Sequence, residues 1–335
     1  MVAPLPLIVQ KGDSSSSGAG VNPQGQNTRL ARVTVLMCTY NGERFLAQQL
    51  DSIARQTYSV WNVVVSDDGS TDSTLEILHQ YSESWGEGKL TVRQGPKRGF
   101  AANFMSVTCD DPIKSQFYAW ADQDDIWQDN KLEIALQLLQ TLPTDIPTLY
   151  CARTELVSDT GAVIGRSPLF ARPASFSNAL VQSISGGNTM VFNQVARELF
   201  QLAGSHLNIV SHDWWAYLLV SGAGGQVFYD PSPTILYRQH QANLIGSNSG
   251  VLARIMRLRM MFSGRFRGWN QQNIAALDSV RAQLSHESQL TLEQFKKARS
   301  ARVFARFIWL KRSRVYRQTR WGNLGLILAA VFNRI

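Results

Sequence analysis

Val33-Thr-Val-Leu-Met-Cys-Thr-Tyr-Asn-Gly42 decides how this chain folds. Val33 to Met37 is a short apolar run, and Thr39-Tyr-Asn-Gly42 bounds it, so the stretch reads as a buried strand and then a turn. Working outward, Leu46, Leu50 and Ile53 recur at i, i+4 and i+7, the stripe of an amphipathic helix. Trp61-Asn-Val-Val-Val65 reads as a second strand and ends at Ser66-Asp-Asp-Gly-Ser-Thr-Asp72. Leu75, Leu78 and Tyr81 mark a second helix, and Leu90-Thr-Val-Arg93 a third strand. Phe117-Tyr-Ala-Trp120 is a fourth strand, ending at Ala121-Asp-Gln-Asp-Asp125 and followed by a helix through Leu132, Leu136 and Leu139. This alternation predicts a mostly parallel, Rossmann-like α/β sheet with helices on both faces. Ligands of such sheets sit beyond the carboxyl ends of the strands, where every polar cluster just named falls.

The chain has 335 residues, 44% hydrophobic and 17% charged, enough apolar material for a substantial core and too much for a disordered protein. No charge-free apolar run is long enough for a plain transmembrane protein. Cys38, Cys109 and Cys151 are too widely spaced for a disulfide framework or a zinc ribbon, which fits a reducing compartment. The net charge of +8 hides an asymmetry: residues 250–335 hold 17 Lys/Arg against 3 Asp/Glu, and the rest holds 16 against 22. Three regions follow. Residues 1–30 read as a flexible leader without the basic start and cleavage site of a signal peptide. Residues 31–249 form a mildly acidic body, and 250–335 a basic, mainly helical region.

Asp122-Gln-Asp-Asp125 gathers three carboxylates just past a strand, oxygen donors that suit Mg²⁺ or Mn²⁺. The same residues, with Asp129, also read as a solvated loop leading into the helix at 131–140. The turn Asp67-Asp68-Gly69-Ser70 has two readings as well: an Asp-Gly turn before a capped helix, or a carboxylate that accepts the N3–H of a pyrimidine base.

Four stretches, in order and spacing, resemble family 2 glycosyltransferases of the GT-A fold. They are Val33 to Gly42, Val65-Ser-Asp-Asp-Gly-Ser-Thr-Asp72, Arg98-Gly-Phe-Ala-Ala-Asn103 and Asp122-Gln-Asp-Asp-Ile-Trp127. Ser211-His-Asp-Trp-Trp215 and Tyr237-Arg-Gln-His-Gln-Ala-Asn243 are similar to the rhamnosyltransferase branch that builds bacterial cell-surface polysaccharide. The resemblance covers residues 32–248 and makes 31–249 the catalytic domain.

It implies an inverting, metal-dependent transferase that moves a sugar, L-rhamnose from dTDP-L-rhamnose, to a glycan or lipid-linked acceptor. By the same resemblance Thr39 and Tyr40 line the nucleotide pocket, Asp68 holds the base, Asp67 supports the turn, and Lys97 or Arg98 approaches base or diphosphate. Asp124 and Asp122 are the metal carboxylates, with Asp122 facing ribose or a metal-bound water. Asp125 orients the sugar, His240 completes the metal shell, and Arg238 neutralises phosphate. Asp213 is the base that deprotonates the acceptor hydroxyl, while Gly186, Gly187 and Trp214 lie on the acceptor side; His212 replaces the Glu usual before that Asp. Competing readings are a UDP-hexose or UDP-N-acetylhexosamine donor, and a nucleotide- or glycan-binding module without turnover.

The basic region alternates Arg with Leu, Ile, Met, Phe and Trp, from Arg254 to Arg267 and again from Arg302 to Trp321. That pattern suits helices lying on an anionic membrane, which would place the protein peripherally on the cytoplasmic face. It equally suits ordinary packing helices with a solvated basic face. No recognition motif accompanies the charge, so nucleic acid is not an expected partner.

Overall fold

Among the described residues the central feature is a seven-stranded sheet that places β1 (Val33–Thr39) between β2 (Trp61–Asp67) and β4 (Phe117–Ala121), parallel to both. The computed structural model describes residues 30–239 and 264–335. The leader, His240 and the basic stretch Arg254–Arg259 lie outside the described residues. Ala31–Ile335 is one compact unit; of the other, Met1–Leu30, only Leu30 is described.

β3 (Leu90–Gln94) pairs in parallel with β2 at the sheet's edge. On the other side β9 (Val191–Asn193) runs antiparallel between β4 and β6 (Thr148–Ala152), and β10 (Gln226–Asp230) closes that edge parallel to β6. A second sheet orders β5 (Ile126–Trp127), β11 (Ile235–Gln239), β7 (Glu155–Ser158) and β8 (Val163–Arg166).

Every residue of β1 is buried, as in a parallel sheet covered on both sides. Side chains alternate across a strand, so β1 feeds two separate cores. Val33, Val35 and Met37 meet α1 (Leu46–Ala54), α2 (Thr74–Trp85) and α4 (Lys131–Leu139). Leu36 and Cys38 join Trp120, Phe192 and the helices α3 (Phe100–Thr108), α6 (Gln194–Ala203) and α7 (His212–Gly222).

Two helical expectations need correction. In α2 Leu78 is buried but Leu75 is exposed, because Thr74 and Leu78 face the sheet. The segment 302–321 is not one helix: α10 (Val303–Arg312) ends, residues 313–319 run irregularly, and α11 (Arg320–Val331) follows.

That break has a partner. Gln318 exchanges hydrogen bonds with the backbone of Arg172 through its side chain, Asn178 Nδ2 donates to Tyr316 O at 2.8 Å, and Arg317 Nη1 donates to Val181 O at 3.1 Å. α8 (Arg265–Ser279) and α9 (His286–Ser300) add Ile274, Leu277, Leu292 and Phe295 to the core around α7 and α5 (Phe176–Ala179). Residues 265–335 are therefore packed on the α/β body. No helix among the described residues is long and apolar enough to cross a membrane.

Candidate active site

The parallel register brings Thr39 level with Asp67, and Asp67 level with Gln94, so the turns after β1, β2 and β3 emerge side by side. Asp67 is buried and spends both oxygens on its own turn: Oδ2 accepts from Thr39 Oγ1 at 2.7 Å and Ser70 Oγ at 2.6 Å, and Oδ1 from the amides of Gly69 and Ser70. Thr39 is thus a buried strut beneath the β2 turn rather than an exposed lining residue. Tyr40, one step on, is exposed. Asp68 reaches the next loop, accepting from Lys97 N at 2.6 Å and Gly99 N at 2.8 Å. This pins Lys97 in a left-handed conformation (φ 56°) at the mouth of α3, with the Lys97 and Arg98 side chains exposed.

Gln123 joins this platform to the acidic turn. Its Oε1 accepts from Tyr40 N at 2.8 Å and its Nε2 donates to Tyr40 O at 3.0 Å. Sequence reasoning passed over Gln123, because an amide between carboxylates carries no motif signal. Asn103, the last residue of the Arg98–Asn103 stretch, had no role assigned to it; it holds α3 to β2 through Ser66.

The three carboxylates of the acidic turn separate. Asp125 is buried, accepting from Asn188 Nδ2 at 2.5 Å and Arg238 N at 3.3 Å, so it anchors the turn from inside and does not face a sugar. Arg238 is likewise an internal clamp: its guanidinium donates to Asp124 O, Asp159 O and Gln48 Oε1, and lies 4.4 Å from the Phe45 ring. The phosphate role expected for it does not fit these bonds.

Asp122 and Asp124 remain half-buried with Asp213 nearby. Burial first, then the negative charges of Asp124 and Asp213, push the Asp122 carboxyl up to about 8. Burial, then the negative charges of Asp125, Asp122, Asp124 and Asp213, also raise the Tyr237 phenol. Among the described residues no three His, Cys, Asp or Glu side chains form a ready-made metal sphere. The all-oxygen pair Asp122 and Asp124 nevertheless suits a hard divalent cation that takes its other ligands from water and substrate phosphates.

Opposite this pair, Ser211 precedes α7 in extended conformation, and Asp213 lies in the first helical turn with Oδ1 accepting from Trp214 N at 2.8 Å. Burial raises the Asp213 carboxyl, opposed by its hydrogen bonds at the helix start. His212 is buried. It stacks on Phe104 at 3.9 Å and meets Trp120 edge-on at 4.8 Å. Trp214 turns away from the acceptor side expected of it, donating Nε1–H to Ala179 O at 2.6 Å and packing against Trp269 of α8. Gly186 and Gly187 lie between Asn188, which holds Asp125, and His212.

The geometry thus sets a carboxylate on α7 against an acidic pair at the carboxyl end of β4. Residues 34–200 match the model of glycosyl transferase family 2, and the chain belongs to that family. It is a glycosyltransferase. The chain is 27% identical over 234 residues to a dTDP-rhamnosyl transferase, RfbG, of Shigella flexneri, across 67% of this chain and 78% of that one. It is 29% identical over 131 residues to the UDP-Glc:alpha-D-GlcNAc-diphosphoundecaprenol beta-1,3-glucosyltransferase WfgD of Escherichia coli, across 39% of this chain and 49% of that one. Among solved structures, S. aureus TarS 1-349 in complex with UDP-GlcNAc aligns with a TM-score of 0.49 and 16% identity, over 84% of this chain and 89% of that one.

Proposed function

We propose that this enzyme is an inverting, metal-dependent transferase that moves L-rhamnose from dTDP-L-rhamnose to a glycan or lipid-linked saccharide. The observation that carries the reading is that Asp213, in the first turn of α7, lies close enough to the Asp122–Asp124 pair for its charge to raise the Asp122 carboxyl. The similarity to a dTDP-rhamnosyl transferase along two thirds of the chain supports the donor. Asp213 accepts the proton of the attacking hydroxyl, and burial of its carboxyl strengthens it as a base. Asp68 accepts the N3–H of the base: each of its oxygens keeps a lone pair beyond the one that binds a loop amide. Lys97 and Arg98 approach the diphosphate from the exposed end of the neighbouring loop. Asp124 and Asp122 would hold Mn²⁺ or Mg²⁺, with His240 as a further ligand, and the ion would neutralise the departing diphosphate. The acceptor enters past Gly186 and Gly187.

Donor hydrolysis over a panel of nucleotide sugars, with and without Mn²⁺, tests the reading. The expected result is turnover of dTDP-L-rhamnose that EDTA or Asp124→Ala abolishes. Full activity in EDTA overturns the metal assignment. Preference for UDP-glucose, the donor in the name of the E. coli relative, replaces the rhamnose assignment.

A further inference from the structure

Among the described residues the packing of the C-terminal helices leaves one face of α11 uncovered. Leu326, Ala329 and Ala330 are buried against the body, while Trp321, Leu324, Ile327, Leu328 and Val331 are exposed, Trp321 to 77%. At 3.6 residues per turn these five occupy an arc of about 120° opposite the buried side, and the one charged residue of the helix in that arc is Arg320 at its first position. On α10, Phe304 is 90% exposed and Ile308 lies one turn further along the same face. Large apolar side chains gathered in this way on the exposed sides of two touching helices mark a contact site.

The surrounding charge says what covers it. Residues 302–335 contain eight Lys/Arg and no Asp/Glu. Arg306 is consumed inside, bonding the carbonyls of Ala298, Ala301 and Ala330, but Arg302, Lys311, Arg312, Arg314, Arg320 and Arg334 are exposed. A second copy docked symmetrically would bring the same cations face to face without a carboxylate from this segment to neutralise them. An anionic surface matches both features. α11 has 12 residues and spans about 18 Å, too short to cross a hydrocarbon core of about 30 Å, so it lies in the interface plane. Trp321 beside Arg320 suits the headgroup level.

We propose that the outward face of α11, with the adjoining tip of α10, docks on an anionic phospholipid bilayer. The biological sense of the proposal rests on the reading of the acceptor as lipid-linked; the binding itself does not depend on which sugar is moved.

Vesicle flotation of the full chain tests it, with phosphatidylcholine alone and with phosphatidylcholine containing about a third phosphatidylglycerol. The expected result is flotation with the anionic vesicles only, weakened at least about tenfold by 0.5 M salt, since exposed charges are screened. Leu328→Glu, with a side chain on the outer face, weakens it similarly while melting temperature and donor hydrolysis in solution stay unchanged. If that variant melts early, Trp321→Gln is read instead. Absent flotation, or flotation that ignores lipid charge and both substitutions, overturns the proposal. So does a wild-type dimer in light scattering that Leu328→Glu makes monomeric. Donor hydrolysis without vesicles, in the same preparations, separately judges the proposed function.

Discussion

The imidazole of His212 occupies the space that a β-carbon on Gly187 would need, with Nε2 nearest. A loop proposed to admit the acceptor is thereby keyed to the start of the helix that carries Asp213. Gly187→Ala forces this contact apart and should destabilise the protein by about 1–3 kcal/mol, as overpacked cores do. It should also lower transfer more than donor affinity, because Asp213 moves with His212. Adding His212→Ala removes the obstructing ring. A double-mutant cycle by urea unfolding should then show strong coupling; simple additivity contradicts the keyed contact.

His212 itself should carry no proton during turnover. Burial between Phe104 and Trp120 pushes its imidazole down to about 3, and among the described residues neither ring nitrogen finds a hydrogen-bond partner. Its ordinary value is 6.5, so between these limits the unfolded chain binds the extra proton. Stability from this site is therefore complete above pH 6.5 and is lost as pH falls toward 3. Relative to wild type, His212→Leu should gain up to about 1.4 kcal/mol per pH unit below 6.5, read from urea midpoints. The acidic limb of the activity profile should stay in place. Its disappearance would make His212 the proton carrier.

Asp213→Asn keeps the shape and the acceptor oxygen toward Trp214 N but cannot take a proton. Transfer should fall by about 10²-fold or more. Binding of the nucleotide diphosphate, followed by calorimetry, should barely change. A collapse of nucleotide affinity would place Asp213 in the donor site instead.

Lys131 lies fully buried with Nζ 3.5 Å from the centre of the Trp127 ring, and burial pushes its amine down to about 7. The unfolded chain holds the proton up to about 10.5, so folding at neutral pH works against protonation, and stability from this site rises with pH between the two values. Lys131→Met should melt higher than wild type at pH 7, with the gap closing toward pH 10. A lower melting temperature at pH 7 would show that the amine stabilises the neighbouring Asp125 instead.

The strands were legible because parallel, doubly covered strands read as unbroken apolar runs: Val33 to Met37 needed no partner to be recognised. Asp67, Asp68 and the Asp122–Asp125 turn were legible for the same reason, being the polar residues where such runs stop. What remained hidden depends on direction in three dimensions. Nothing local distinguishes an Arg238 that grips Asp124 O and Gln48 from one aimed at a ligand, or a Trp214 that donates to Ala179 O from one lining an acceptor cleft. The tail was hidden in the same way. Its basic and apolar alternation was plain, but only the contacts of Gln318 and Arg317 with residues 172–182 show which side of each helix faces inward. A cut after Gly250, natural from charge alone, would strip Leu277, Leu292 and Phe295 from the core around α7.

The position of β9 sets an order of assembly. β6 leaves the ribosome before β9, yet β9 is the strand that joins it to β4. A nascent chain can pair β1, β2, β3 and β4 while β6 still lacks its neighbour on the β4 side, an unpaired edge open to wrong partners until residue 193 has emerged. The acidic turn waits longer, since Asp125 gains Asn188 just before β9 and Arg238 only with β11. Synthesis thus completes the turns after β1 and β2 first and the bonds that anchor the acidic turn last.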